Sequence, residues 1–471
     1  MIRLTLISVF SVIISIVLYY TIPHYVGSSY VYVMFTVTSN VLLYFGFRKN
    51  AFFFDTFIGI FLWLGFWFKT TIVLVFLNGN FTGQVGAFQG TGAELDNALI
   101  IASTAFLALI LASLIREKYI FKYPKLDIEN SRLFYFYQAH RKKIISFYVV
   151  LFLFIAISNS YFHIYQRGGI SPENISFIIS GMYKWLLLFG LASFAALILK
   201  YEFSIKNKPP YFVSILTLIE SAITNVSLLS RGMLLNSSSL GLGLMKFSYV
   251  NKLKISWKYW LILISIMIII FILSISFANK LREHSFAKVK QNNTLVETIS
   301  EVNIVKNTRG IAHLFVGRSV GMEGLLAIST YPNLGWEVFN DALNEKYDEN
   351  KTGFYDHLFD TYYKNSKEKN SHIVSMPGFI AFFYYPGSLY FIFISIFIIG
   401  IIASLIEILA YKLGKNNQIL AALIAQVVAY RLTHFGYVPA QSYLLFGTIL
   451  INLFLIYGFD KFLSFWYKKQ I

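Results

Sequence analysis

Residues 258–277, KYWLILISIMIIIFILSISF, form a run whose only charge, Lys258, stands at its edge. A bilayer core about 30 Å thick is crossed by about 20 apolar residues in a helix rising 1.5 Å each. This stretch therefore predicts a membrane-spanning helix. The same reading applies, working outward, at roughly 4–21, 30–47, 54–77, 97–115, 144–162, 176–199, 211–229, 232–249, 379–410, 418–433 and 441–459. The first run lacks the small-residue cleavage site of a secretory signal and reads as an uncleaved anchor. The expected fold class is all-α: a polytopic integral membrane protein of about 12 transmembrane helices.

Composition agrees. Of 471 residues, 56% are hydrophobic, 18% aromatic and 13% charged, and the mean hydropathy is +0.61. A soluble domain carries about 25% charged residues. A soluble enzyme, a disordered chain and a secreted disulfide scaffold are excluded. There is no cysteine, so thiolate metal sites are out of reach.

The excess of 40 Lys+Arg over 23 Asp+Glu, a net +17, reads on such a chain as basic cytoplasmic loops, not nucleic-acid binding. Arg48 and Lys49 follow the second run. Arg116, Lys118, Lys122, Lys125, Arg132, Arg141, Lys142 and Lys143 lie between the fourth and fifth, and Lys200, Lys206 and Lys208 follow the sixth. Lys252, Lys254 and Lys258 follow the eighth, Lys412 and Lys415 the tenth, and Lys461, Lys468 and Lys469 close the chain. The loop at 78–96 has no Lys or Arg at all. Both termini are thus expected in the cytoplasm, with odd-numbered loops outside. The basic loop 116–143 either touches anionic lipid or only fixes topology, and the second reading is preferred.

Three regions follow. Residues 1–277 are expected to form an N-terminal bundle of about nine spans, 278–378 a large outer loop domain, and 379–471 C-terminal hairpins of about three spans. The outer region holds 12 basic and 12 acidic residues, so it is neutral. Within it, TLVETISEVNIVKN and GWEVFNDALNEKY place apolar residues at helical spacing.

Charged residues near the outer ends are the candidates for chemistry. Arg231, in the tight turn SLLSRGMLLNSSSLG, stands where a lipid-linked phosphate would lie, and its planar fork suits bidentate binding; the competing reading is a snorkelling arginine. Glu220 lies about three turns earlier, about 16 Å away on the same face. It sits inside the bilayer with Lys69 and Lys184 as candidate partners, and a buried structural pair is the competing reading.

The densest cluster is NTRGIAHLFVGRSVGMEGLLAIST, with Arg309, His313, Arg318 and Glu323. Two guanidiniums, an imidazole and a carboxylate are what a diphosphate-lipid site requires. Arg would neutralise phosphate while Glu or His acts as general base; an amphipathic helix with a charged face is the plain alternative. His372 precedes SMPGFIAFFYYPGS, where Pro377–Gly378 and Pro386–Gly387 mark turns or kinks. The last outer turn, AYRLTHFGYVPAQSYLLFG, adds Arg431, His434, Tyr437, Gln441 and Tyr443. Asp356, His357 and Asp360 (FYDHLFD) share too little of one face to hold a metal. No Walker loop, GxSxG elbow or HExxH motif occurs, so no cofactor is expected and the energy of a reaction comes with its substrate.

About twelve runs with one large outer loop late in the chain resemble the O-antigen polymerase (Wzy) family. VGAFQGTGAELDNAL, FVGRSVGMEGLLAISTYPNLGW, HIVSMPGFIAFFYYPGS and AQVVAYRLTHFGYVPAQSYLLFG are similar to segments of some members. The resemblance implies a GT-C-like, metal-independent glycosyltransferase of the bacterial inner membrane with its active site facing the periplasm. Its substrates would be undecaprenyl-diphosphate-linked oligosaccharides, and its partners membrane lipid and the pathway's chain-length regulator and flippase, without nucleic acid. The family's arginine motifs run Arg, ten residues, Gly. Here Gly241 and Gly243 follow Arg231, and Gly321 follows Arg309, each one position off. Site assignments therefore rest on electrostatics. Glu323, His372 and Arg318 are expected to be catalytic; Arg231, Arg309, Arg318, Arg431, His313, His434 and Tyr437 are expected to bind the diphosphates. The rival functions are a lipid-linked oligosaccharide flippase or transporter, which usually shows two related halves, and an O-antigen ligase sharing the donor. A membrane acyltransferase is disfavoured, since its histidine is met from the cytoplasmic side.

Overall fold

The computed structural model describes residues 2–81, 84–124, 131–168, 175–206, 209–230, 232, 234–251, 255–287, 320–348, 351–361, 364 and 373–468. Their regular elements are all helices, with no strand among the described residues. In chain order the long helices are α1 (Ile2–Thr21), α2 (Ser29–Gly46), α3 (Phe53–Phe76), α4 (Gly92–Ile120), α5 (Arg132–Phe162), α6 (Phe177–Ile205), α7 (Tyr211–Ser227), α8 (Leu234–Val250) and α9 (Trp257–Ala287). Short helices follow: α10 (Met322–Ser329), α11 (Trp336–Leu343), α12 (Phe354–Leu358) and α13 (Phe379–Phe382). The chain closes with α14 (Leu389–Leu413), α15 (Gln418–Thr433) and α16 (Ser442–Lys468).

Each of the twelve apolar runs overlaps one long helix. Seven of these, α3–α6, α9, α14 and the helix over Pro439–Phe465, are long and apolar enough to cross a membrane. Shorter apolar helices cover Ser8–His24, Tyr211–Ser227 and Gln418–Thr433. The run at 379–410 is two helices, because Gly378 (φ +86°) and Gly387 (φ +74°) turn the chain left-handed beside Pro377 and Pro386.

The outward faces identify the solvent. Along α14, Ile394, Ile398, Ile402 and Leu405 form one exposed stripe, and Val150, Phe154 and Ile157 repeat it on α5. Aqueous proteins rarely expose apolar stripes of this length. Lipid is the solvent that fits, and the molecule is a membrane-embedded helical protein.

At the centre stands α15, packed on α3, α6, α8 and α14, with Ile419–Ile424 fully buried. Ala421, Ala422, Ala425 and Ala429 let neighbours approach closely. A Cβ added to Gly243 of α8 would lie 2.6 Å from the Ile419 Cα, whereas one on Gly241 meets open space. We expect Gly243→Val to lose about 1–3 kcal/mol to overpacking and Gly241→Ala to leave the thermal unfolding midpoint in detergent unchanged.

The loops sort by parity. At one end, called here the basic end, Arg48 pairs with Glu117 at 2.9 Å, Lys415 pairs with Asp460 at 3.3 Å, and Arg116 binds Asp55. Arg141 binds Glu202, and the Lys200 ammonium donates to the Lys415 carbonyl. Loops two, four, six, ten and the tail of α16 thus share charges. At the opposite end the Tyr25 hydroxyl donates to Asp96 at 2.7 Å, and the Val438 amide donates to Glu345 at 2.8 Å. From the region 278–378, α10 sits at that end, buried on α4 and α13.

Candidate functional site

The site begins with a fully buried asparagine. Asn159, one turn from the end of α5, donates to the Tyr165 carbonyl and the Ser227 carbonyl, each at 3.0 Å, and accepts from the Tyr165 amide at 2.8 Å. His163 turns left-handed at φ +52°, so the loop folds back onto the end of α7. There the Arg167 amide donates to the Leu228 carbonyl at 2.9 Å. That anchors the backbone and sends the guanidinium to α15. Its Nη1 donates to the Tyr430 hydroxyl at 3.2 Å, and its Cζ lies 5.7 Å from the Tyr430 ring centre.

Tyr430 stacks on His434, with centroids 4.1 Å apart and planes at 27°. The His434 Nδ1 lies 3.0 Å from the Tyr430 carbonyl oxygen. A carbonyl can only accept, so Nδ1 carries the proton and Nε2 keeps a free lone pair in the neutral ring. Burial, reinforced by Arg167 and Arg431, pushes His434 down to about 4, so the ring is neutral at pH 7.

Arg431 completes the cluster. Its electrostatic neighbours are Tyr165 and Arg167, and its Nε is buried without a hydrogen-bond partner. Among the described residues no carboxylate lies within ion-pair distance of it. Lys184 of α6 places its Nζ 5.2 Å from the Tyr165 ring centre. Three cations thus surround two tyrosines. Two guanidiniums in mutual reach repel unless an anion lies near them, so the arrangement suits a phosphate-bearing ligand. Gly232 is close as well: a Cβ there would lie 3.1 Å from the Tyr430 hydroxyl.

Of the residues singled out in the sequence, Arg431 and His434 belong to this cluster. Tyr437 does not; it sits against Tyr347 and Glu345. Glu323 meets Lys69, with Nζ 2.5 Å from Oε1. Lys69 is therefore no partner of Glu220, whose carboxylate accepts from Thr224 at 3.0 Å and Ser221 at 3.4 Å. A π-helical turn at Trp63–Phe68 adds a residue just before Lys69, which rotates it by about 100° relative to the start of α3. Gly65 in that turn is obligatory, since a Cβ would lie 2.2 Å from the Val320 carbonyl oxygen. Arg231, Arg309, His313, Arg318 and His372 lie outside the described residues.

Asp356 is fully buried and accepts from the Ser375 amide at 2.9 Å and from Thr361, while Asp360 pairs with Lys364 at 2.7 Å. These carboxylates hold turns, and no cluster of metal-binding side chains occurs among the described residues. The sequence reading missed Arg167. It is a cation in an odd-numbered loop, the same signal that singled out Arg231. Tyr165, Tyr430 and Asn159 carry no such signal.

Fold and site together define a membrane-embedded helical protein with a cationic, aromatic cluster at one end. No protein-family model, curated protein or solved structure matches the chain.

Proposed function

We propose that the chain is a glycosyltransferase of about twelve spans, GT-C-like, that polymerises undecaprenyl-diphosphate-linked oligosaccharide repeat units. The observation that carries this reading is the convergence of Arg167, Lys184 and Arg431 at the end opposite the basic loops. Lys- and Arg-rich loops face the cytoplasm, so the basic end and both termini are cytoplasmic in this reading. The cluster then faces the periplasm of a bacterial inner membrane, at headgroup depth.

The diphosphate of the donor lies between the guanidiniums, which offset the charge of the leaving group as the bond to the sugar breaks. The acceptor hydroxyl forms the new C–O bond to the donor's anomeric carbon. Its proton passes to Nε2 of His434, and the lipid diphosphate leaves with the electron pair. A bound diphosphate offsets the two guanidiniums and so restores basicity to the imidazole.

The test is direct. Full-length protein in nanodiscs, given a synthetic undecaprenyl-diphosphate repeat unit, is expected to yield a ladder of lipid-linked products on a gel. No ladder, with substrate crossing a liposome bilayer instead, would replace this reading by the flippase.

A further inference from the structure

Helix α11 (Trp336–Leu343) carries three kinds of surface. At about 100° per residue, Phe339 and Ala342 share one arc, and both are buried. Phe339 rests on Phe382, Phe383 and Phe391, with ring centres 5.7, 6.2 and 5.3 Å away. Trp336 and Leu343 share the next arc and are 57% and 39% exposed. The last arc holds Glu337, Asn340 and Asp341, all exposed. A surface helix in water needs only two faces, one on the core and one polar. A third face, apolar and uncovered, calls for a second apolar neighbour.

The place of α11 in the bundle identifies that neighbour. Trp336 meets Phe391 edge to face, 4.9 Å between ring centres, in the first turn of α14. Lys412 stands in the last turn of α14, at the basic end. Counting back from it the roughly 20 residues that cross a bilayer core reaches Ile392. Helix α11 is therefore level with the far edge of that core. The lipid-facing stripe of α14, from Ile394 to Leu405, begins one turn earlier at Tyr390, 85% exposed. Trp336 stands beside that turn, at the depth where tryptophan and tyrosine form interfacial belts.

Both ends of α11 are held, so its arcs keep their directions. The Gly335 amide donates to the Tyr385 carbonyl at 2.9 Å. Glu345, two residues past the helix, accepts from the Val438 amide at 2.8 Å and the Phe354 amide at 2.5 Å. From Trp336 to Asp348 four acidic residues stand against one lysine, Lys346. Glu337 and Asp341 repel an anionic headgroup and attract an ammonium. We infer that α11 lies in the membrane interface, with Trp336 and Leu343 on the acyl chains and Glu337 and Asp341 toward the ammonium of a zwitterionic lipid. This surface is independent of whether the glycan is polymerised or translocated.

The chain has no cysteine, so spin labels can be placed one at a time on the full-length protein in phosphatidylcholine nanodiscs. Relaxation by oxygen, relative to relaxation by a water-soluble nickel chelate, reports depth. Labels on Leu343→Cys and Tyr390→Cys are expected to show a ratio several-fold higher than labels on Glu337→Cys and Asp341→Cys. These four substitutions leave the Trp336–Phe391 contact in place. A Leu343 ratio as low as that of Glu337 puts α11 in water and overturns the inference. High ratios at all four positions put the whole helix in the core and overturn it equally. In phosphatidylglycerol nanodiscs the Leu343 ratio is expected to fall, and Glu337→Gln with Asp341→Asn to restore it. Equal ratios in the two bilayers, or no restoration, overturn the headgroup preference.

Discussion

Purified Arg431→Ala protein is expected to extend the lipid-linked glycan about 100- to 1,000-fold more slowly than the parent, the loss typical of removing one donor to a developing oxyanion. Its stability should not fall with it. Arg431 brings a buried, unpartnered Nε and a like-charged neighbour, Arg167, so without ligand it is a strained member of the cluster. Taking it away relieves repulsion, and the thermal midpoint stays level or rises. Arg431→Lys keeps the charge without the planar fork and recovers only part of the rate. Arg167→Ala contrasts with both. It breaks the bond to the Tyr430 hydroxyl and lowers rate and midpoint together. Ladders of parental rate and length from Arg431→Ala would remove the cluster from the reaction.

How far the sequence leads depends on whether a feature is local. A helix in lipid needs only a sufficient apolar run, and every run read from the chain overlaps a helix. Basic residues in alternate loops are equally local, and among the described residues the structure gathers loops two, four, six and ten at one end. The rank of a helix within the bundle is not local. Central α15 and peripheral α14 read as similar apolar runs, although one is surrounded by protein and the other faces outward. Only the alanines of α15 hint at close packing.

Pairings are still harder to read. Lys69 and Glu323 meet across more than 250 residues of sequence, and a π turn that no spacing rule foresees decides which way Lys69 points. Arg167 reaches Tyr430 because Asn159 folds its loop back. The sequence thus offered Arg431 and His434 but neither of the residues that organise them.

At the basic end the largest loss of stability is expected from Asp55. Its carboxylate binds both guanidinium nitrogens of Arg116, one at 3.0 Å, and accepts from the Ser113 hydroxyl at 2.6 Å. Arg48 adds a second guanidinium at 3.9 Å. Arg116 is 1% exposed, donates to Ser404 of α14 at 2.6 Å, and lies 4.0 Å over the Phe52 ring. One ion pair therefore ties α3, α4 and α14. Asp55→Ala strips a buried guanidinium of its carboxylate, and breaking such a pair costs about 3–5 kcal/mol. Arg116→Ala costs less, because Arg48 remains beside Asp55.

The double variant Asp55→Leu, Arg116→Met removes both charges and leaves apolar volume where lipid-depth packing tolerates it, so most of the loss should return. Thermal unfolding in detergent of the parent, Asp55→Leu, Arg116→Met and the double variant gives the coupling between the two positions. Additive losses would show that the pair contributes nothing beyond its separate parts. Because the network lies at the far end from Arg431, ladder formation by the variants below their midpoints should match the parent. A specific fall in rate there would mean that the two ends of the bundle communicate through α15.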